Sequence, residues 1–141
     1  MTPPITQVAP EAAPAKTALK TALVCDDDQT LVSIMSYLLT KKGFAVIGAS
    51  DGTEALAMIR ARQPGLLLLD LAMPHCDGLG VLRALREFEG EKPYTLVLSG
   101  QENEEVRKLA AELGAREVWK KPFNTAALLS RIEALLAQGA I

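Results

Sequence analysis

Short apolar runs of β-strand type alternate with amphipathic segments along the chain from about Leu19 onward. In each amphipathic segment the apolar residues recur every three or four positions, which is the period of a helix with one buried face. The five apolar runs are ALVC at residues 22–25, FAVIGA at 44–49, LLLLD at 66–70, YTLVLSG at 94–100 and REVWKKPF at 116–123. This alternation predicts an α/β fold, in which helices cover both faces of a doubly wound, five-stranded parallel sheet.

The third run, LLLLD, is apolar at four successive positions instead of alternating with polar residues. Strands that are covered on both faces have this pattern, so we expect this strand at the centre of the sheet. Asp70 ends the strand, and Pro74 and Gly78 shape the loop that follows it. In the first helical segment, the predicted buried stripe consists of Leu31, Ile34, Met35, Leu38 and Leu39.

The first eighteen residues are rich in Pro and Ala and show no periodicity. Residues 1–18 are therefore predicted to form a flexible arm, because such a segment buries too little apolar surface to become ordered. Residues 19–139 form one domain, which is large enough to bury its own core. No run approaches the ~20 apolar residues of a membrane span, and no signal peptide is apparent. Cys25 and Cys76 are too few for a disulfide framework, so we expect reduced thiols, a cytoplasmic location and no membrane contact.

The charge of the chain is nearly balanced, with 15 Lys and Arg residues against 17 Asp and Glu residues. Nucleic-acid-binding surfaces are usually strongly basic. In addition, no further element follows the fifth helical segment in this sequence. From these two observations we expect no direct binding to DNA.

Polar residues gather where the predicted strands end. Taken singly, each has an ordinary structural explanation: Asp and Ser at strand-to-helix junctions are common helix caps, and a single Lys is usually a solvated charge. In a doubly wound sheet, however, the carboxyl ends of the strands lie at one edge, where binding sites form. The residues at these ends are Asp26, Asp27 and Asp28 after the first run, Asp70 after the third, Ser99 after the fourth, and Lys121 with Pro122 after the fifth.

Carboxylates that converge at one edge repel each other unless a cation joins them. Mg²⁺ is the natural partner, because it prefers oxygen ligands and binds through one or two carboxylates together with a phosphate oxygen. Asp27 and Asp70 would bind the ion directly, and Asp26 through water. The other oxygen of Asp70 could then attack phosphorus to form an acyl phosphate.

The motifs CDDD, LLLLDLAMPHCDG, VLSG and KKPF, in this order on successive strands, resemble those of response regulator receiver domains of two-component signalling. The resemblance extends from about residue 19 to residue 137. It implies a flavodoxin-like sheet with strand order 2-1-3-4-5 and a cis peptide bond between Lys121 and Pro122. The site residues that it implies are Asp70 as phosphoacceptor, Asp26 and Asp27 as the acid pocket, Ser99 as the switch hydroxyl, Lys121 as the phosphate partner and the backbone carbonyl of Ala72 as a metal ligand.

The resemblance also implies partners and a mode of action. The phosphoryl donor would be a sensor histidine kinase or a histidine phosphotransfer domain, and the chain would catalyse only its own phosphorylation and dephosphorylation. An unidentified downstream protein, or a second copy in a homodimer, would bind the face formed by the fourth helix, the fifth strand and the fifth helix. The fourth helix there carries mixed charges, which a solvated helix face would explain equally well: Glu102, Glu104, Glu105, Arg107 and Lys108.

The sequence departs from the family pattern at Val118, a position that usually carries an aromatic residue. Trp119 is adjacent, but it should point to the opposite face of the strand because side chains alternate. A receiver-like scaffold that binds partners without phosphorylation therefore stays open as an alternative. A dehalogenase-type phosphatase is disfavoured, because it needs an acid where Ala72 stands, and the chain has no P-loop motif. His75 and Cys76 are interpreted as loop surface.

Overall fold

The computed structural model describes residues 20–73, 77–100 and 102–141. The predicted arm at residues 1–18 lies outside this part of the chain, as do Pro74, His75, Cys76 and Gln101. Five strands alternate with five helices in the described residues. In chain order these elements are β1 (Lys20–Cys25), α1 (Gln29–Lys41), β2 (Phe44–Ala49), α2 (Gly52–Arg62), β3 (Leu66–Asp70), α3 (Gly78–Arg86), β4 (Tyr94–Ser99), α4 (Glu104–Glu112), β5 (Glu117–Lys120) and α5 (Thr125–Ala137).

The five strands form one sheet in the order β2-β1-β3-β4-β5, and every neighbouring pair is parallel. Both the doubly wound fold and the strand order are confirmed, and β3 occupies the centre of the sheet as its leucine run predicts. The register places Cys25 beside Leu69 and Asp70 beside Leu98. The carboxyl ends of β1, β3 and β4 therefore lie at the same edge.

Each face of the sheet packs against its own set of helices. Leu67 and Leu69 pack with the apolar residues of α2, α3 and α4, whereas Leu66 and Leu68 pack with those of α1 and α5. All four leucines are fully buried. Burial of each such side chain is worth about 1.5–3 kcal/mol. The acid at the end of β3 is thus attached to the most deeply buried element of the fold.

The predicted stripe of α1 is confirmed only in part. Met35 and Leu39 are fully buried, whereas Ile34 is 48% exposed. Ile34 lies about 100° from Met35 around the helix, beyond the strip that the sheet covers. Tyr37, on the outer side of the same helix, is 63% exposed.

None of the helices in the described ranges is long and apolar enough to span a membrane.

Every helix begins at an Asp or Asn whose side chain accepts a hydrogen bond from a backbone N–H of the first turn. The five caps are Asp28, Asp51, Asp77, Asn103 and Asn124. Such caps are typically worth about 1 kcal/mol each. Of the three acids that follow β1, Asp28 is the cap of α1, and its carboxylate accepts hydrogen bonds from the N–H groups of Thr30 and Leu31. Asp26 and Asp27 are the two acids after β1 that do not cap α1.

Candidate functional site

The structure brings together the acids that follow β1 and the acid that ends β3. One carboxylate oxygen of each of Asp26, Asp27 and Asp70 lies within 4.8 Å of the others. Asp26 is fully buried and Asp70 is 4% exposed, whereas Asp27 is exposed to solvent. The cluster therefore has two buried carboxylates and one at its mouth.

Lys121, from the residue after β5, reaches the same cluster. Its Nζ atom is 2.7 Å from Asp26 Oδ2 and 3.5 Å from Asp70 Oδ1. One ammonium group faces three carboxylates, which leaves two negative charges uncompensated when all the acids are ionised. The predicted convergence of the first, third and fifth strand ends is thus observed in the geometry.

Backbone N–H groups hold the two buried carboxylates in place. Asp26 Oδ1 accepts from the N–H of Asp28 at 2.9 Å, while its other oxygen accepts from Lys121. Asp70 Oδ1 accepts from the N–H of Ala72 at 3.3 Å. Both oxygens of Asp26 are therefore engaged, and Asp70 keeps more of its capacity to accept further contacts.

The pKa of Asp70 is raised from the ordinary 3.8 to about 6. Burial is the largest cause, and the neighbouring charge of Asp26 is the second. The positive charge of Lys121 lowers this pKa without cancelling the first two effects. Burial and the charge of Asp26 thus disfavour the ionised form of Asp70, and an added cation would stabilise that form.

Lys121 remains protonated in this environment. Burial alone would lower the pKa of its ammonium group, but the hydrogen bond to Asp26 and the charges of Asp26 and Asp70 outweigh burial and raise it. A permanent positive charge thus lies between the two buried acids. The same charge can attract an anionic ligand at Asp70.

The donor set fits a hard divalent cation. The candidate side-chain ligand atoms are all carboxylate oxygens, and the two uncompensated negative charges match the charge of Mg²⁺. Asp27 and Asp70 have oxygens available for direct coordination. Asp26 is better suited to an indirect contact through water, since Asp28 and Lys121 already occupy its oxygens. The carbonyl of Ala72 stays a predicted ligand.

Ser99 ends β4 at the same edge, one residue beyond the register partner of Asp70. The residue is fully buried, and its hydroxyl donates to Glu102 Oε1 at 3.0 Å. Sequence reasoning placed Glu102 on an outer partner-binding face and missed this contact. The sequence feature that could have indicated this contact is the three-residue spacing between Ser99 and Glu102, which directly precedes the Asn103 cap of α4.

Gly78 holds the first turn of α3 against the end of β3. Its N–H donates to the carbonyl of Leu71 at 3.1 Å. A Cβ atom on this glycine would lie 2.5 Å from the carbonyl oxygen of Asp70 and 2.7 Å from the Cα of Leu71. The small residue allows a close backbone approach directly beneath Asp70, which agrees with the predicted role of Gly78 in shaping the loop.

Cys25 also lies near the site, although the sequence analysis assigned it no role there. It is fully buried, and its Sγ atom contacts Met73 Sδ at 3.2 Å. Burial, followed by the charges of Asp26 and Asp70, raises the pKa of this thiol to about 12. The thiol is therefore a packing group and not a nucleophile at neutral pH.

The end of β5 agrees with the alternation expected from the sequence. Val118 packs against the core on the α2-α3-α4 face, and Trp119 packs against the core on the opposite face. Trp119 is only partly buried, and its indole N–H donates to Glu117 Oε1 at 3.1 Å. The peptide bond between Lys121 and Pro122 is cis, as the resemblance implies.

Comparison with known proteins identifies the family. Residues 22–133 match the family model of the response regulator receiver domain. The chain is 36% identical over 122 residues to the alkaline phosphatase synthesis transcriptional regulatory protein PhoP of Bacillus subtilis, covering 86% of this chain and 50% of that protein. It is 41% identical over 114 residues to the transcriptional regulatory protein CpxR of Escherichia coli, covering 81% of this chain and 48% of that protein.

A solved structure agrees with this match over nearly its whole length. The crystal structure of a response regulator signal receiver domain from Bermanella marisrubri has a TM-score of 0.76 and is 35% identical to this chain. The alignment covers 84% of this chain and 99% of that domain.

The predicted absence of direct DNA binding is wrong. The curated relatives are transcriptional regulatory proteins, and the chain spans about half of their length. The charge balance of one domain carries no information about regions outside it, so the near-neutral charge and the final helix could not support that exclusion. The matched residues, the strand order and the similarity to PhoP and CpxR show that the chain belongs to the response regulator receiver domain family of two-component signalling.

Proposed function

We propose that this domain accepts a phosphoryl group on Asp70 from a phosphohistidine donor, in the cytoplasm, and thereby changes the affinity for its partners. One observation carries the proposal: Asp26, Asp27 and Asp70 meet within 4.8 Å, with Lys121 Nζ 2.7 Å from Asp26 and 3.5 Å from Asp70. A sensor histidine kinase or a histidine phosphotransfer domain would supply the phosphoryl group.

In the proposed step, a carboxylate oxygen of Asp70 attacks the phosphorus atom of the donor. The new bond joins this oxygen to phosphorus, and the bond between phosphorus and the histidine nitrogen breaks, with its electron pair going to the imidazole. Such a transfer depends mainly on positioning and charge neutralisation. The end of β3 supports the positioning, because the strand is buried over its whole length.

Mg²⁺ held by Asp27 and Asp70, with Asp26 acting through water, would neutralise part of the charge that develops on the phosphoryl oxygens. The residues of this chain contribute the rest. Lys121 is protonated and 3.5 Å from Asp70, so its ammonium can bind one phosphoryl oxygen. The Ser99 hydroxyl can donate a hydrogen bond to a second phosphoryl oxygen, which requires it to give up its hydrogen bond to Glu102.

The proposal predicts covalent modification of a single residue. Incubation of the purified protein with MgCl₂ and acetyl phosphate should add the mass of one phosphoryl group, measured on the intact protein. EDTA should suppress the gain, because carboxylates alone leave the site too negative to receive a phosphate. Hydroxylamine should reverse the gain, since it cleaves acyl phosphates.

Asp70→Asn should abolish the mass gain. Asp51→Asn is the matched control: it removes one carboxylate from a helix cap outside the cluster and leaves a residue that caps equally well, so uptake should match that of the unmodified chain. Folded protein that gains no mass with the donor and MgCl₂ would contradict the proposal. That result would favour the constitutive scaffold, for which the aliphatic Val118 is the supporting feature.

A further inference from the structure

We propose that Glu102 is a positioning residue that retains the Ser99 hydroxyl in the unphosphorylated protein and so sets how readily a phosphoryl group on Asp70 can recruit it. The inference rests on the proposed function, because it concerns the response of the site to a phosphoryl group. In this proposal the carboxylate of Glu102, which lies between β4 and α4, sets the balance between the unphosphorylated and the phosphorylated state of the domain.

The first step of the argument is the hydroxyl itself. Ser99 has one O–H proton, and in the structure that proton is donated to Glu102 Oε1 at 3.0 Å. Hydrogen bonds to a carboxylate are stronger than those between neutral groups. Because Ser99 is fully buried, exchange of this partner for bulk water is disfavoured.

The second step is that Glu102 is itself held in place. The guanidinium of Arg107 donates to the backbone carbonyl of Glu102 through Nη1 and to Glu104 Oε1 at 3.0 Å through Nη2. The Arg107 side chain is largely buried, and Asn103 caps α4 directly after Glu102. The contact from Ser99 therefore connects the end of β4 to the residue directly before the cap of α4.

The third step is competition between Glu102 and the phosphoryl group for the one hydrogen bond that the Ser99 hydroxyl can donate. A phosphoryl group on Asp70 would add roughly 1.5 to 2 negative charges and three strong acceptor oxygens. Asp70 pairs with Leu98 in the sheet, so Ser99 stands at the neighbouring position of the same edge. The hydroxyl cannot donate to Glu102 and to the phosphoryl group at once, and the two anions repel each other. Phosphorylation would therefore break the Ser99–Glu102 contact and release the start of α4.

The experiment measures the affinity for beryllium fluoride, a mimic of a phosphoryl group on a carboxylate, in the presence of MgCl₂. Backbone amide shifts of Ser99 and Gly100 report binding. Glu102→Ala removes the competing acceptor and should tighten binding roughly threefold to tenfold, the worth of one hydrogen bond. Glu102→Gln should have a smaller effect, since a neutral amide still accepts a weaker bond.

Two further variants separate a role through Ser99 from a general effect. Glu105→Gln removes a charge from the exposed first turn of α4 and should change the affinity less than twofold. In a Ser99→Ala background, Glu102→Ala should also change the affinity less than twofold, because no hydroxyl remains to be released. A purely structural role of Glu102 would not depend on Ser99.

A change below twofold for Glu102→Ala in the presence of Ser99 would overturn the inference. So would an effect of twofold or more that persists in the Ser99→Ala background. Failure of the underlying function looks different: the unmodified protein would not bind beryllium fluoride with MgCl₂ at all, and both proposals would fall together.

Discussion

Asp70→Asn is expected to stabilise the metal-free protein above pH 7 by on the order of 3 kcal/mol. The ionised carboxylate of Asp70 is buried, lies beside Asp26, and has a pKa raised from 3.8 to about 6. A difference of about two pKa units between the folded and unfolded states corresponds to roughly this free energy, at 1.36 kcal/mol per unit. Asparagine has nearly the same shape and no charge, so it removes the cost of ionisation while abolishing the proposed phosphoacceptor.

The pH dependence of this gain has a definite sign. Below pH 3.8 Asp70 is protonated in both states, and its charge has no effect on folding. As the pH rises from 3.8 to about 6, the unfolded state ionises first, so the folded state loses relative stability. Above about pH 6 the full penalty is present. The difference between the variant and the unmodified protein should therefore be large at pH 8 and small at pH 3.5.

Urea unfolding in EDTA at these two pH values measures the difference, with Asp51→Asn as the control for loss of a carboxylate from a helix cap. Added MgCl₂ should raise the free energy of unfolding of the unmodified protein more than that of Asp70→Asn, because a cation relieves the same repulsion. An Asp70→Asn variant that is no more stable than Asp51→Asn at pH 8 would contradict the electrostatic account.

Gly78→Ala is expected to lower the free energy of unfolding by about 1–3 kcal/mol, the usual cost of overpacking. The new Cβ would meet backbone atoms of Asp70 and Leu71 at 2.5 and 2.7 Å, and backbone cannot rotate away as a side chain can. Either α3 or the end of β3 must move. Because a displacement of about 1 Å can slow a positioned reaction a hundredfold, phosphoryl uptake from acetyl phosphate should slow roughly tenfold to a hundredfold.

Gly65→Ala supplies the matched control for Gly78→Ala. Gly65 precedes β3 at its other end, and a Cβ there has no heavy atom within 4 Å. Its stability and uptake rate should therefore stay close to those of the unmodified protein. Equal behaviour of the two alanine variants would show that the close backbone approach beneath Asp70 has no role in positioning its carboxylate.

The fold was predictable because its strongest signals are local. Four successive leucines identify β3 as a strand covered on both faces, and the parallel arrangement then places the residues after each strand at one edge. That rule places Asp26, Asp70 and Lys121 at one edge of the sheet, and their close approach depends in addition on the order of the strands. The order of the strands required the family resemblance, since periodicity within a strand does not specify its neighbours.

Other features depend on three-dimensional detail that the pattern does not contain. The exposed fraction of Ile34 depends on how widely the sheet covers α1, and an apolar period does not give that width. The contact between Ser99 and Glu102 depends on the path of a short loop and on Arg107, which lies on the next helix. The error about DNA arose because a balanced charge and the absence of a further element are not evidence that a protein does not bind DNA.

The unequal burial of β3 and α4 has a consequence for how the domain moves. All five residues of β3 are buried, whereas in α4 only Ala110 is. Local opening, of the kind that amide hydrogen exchange detects, costs the least free energy where few apolar contacts are lost. Asp70 and α4 thus belong to regions of different local stability, so α4 can rearrange while the central strand that carries Asp70 stays closed.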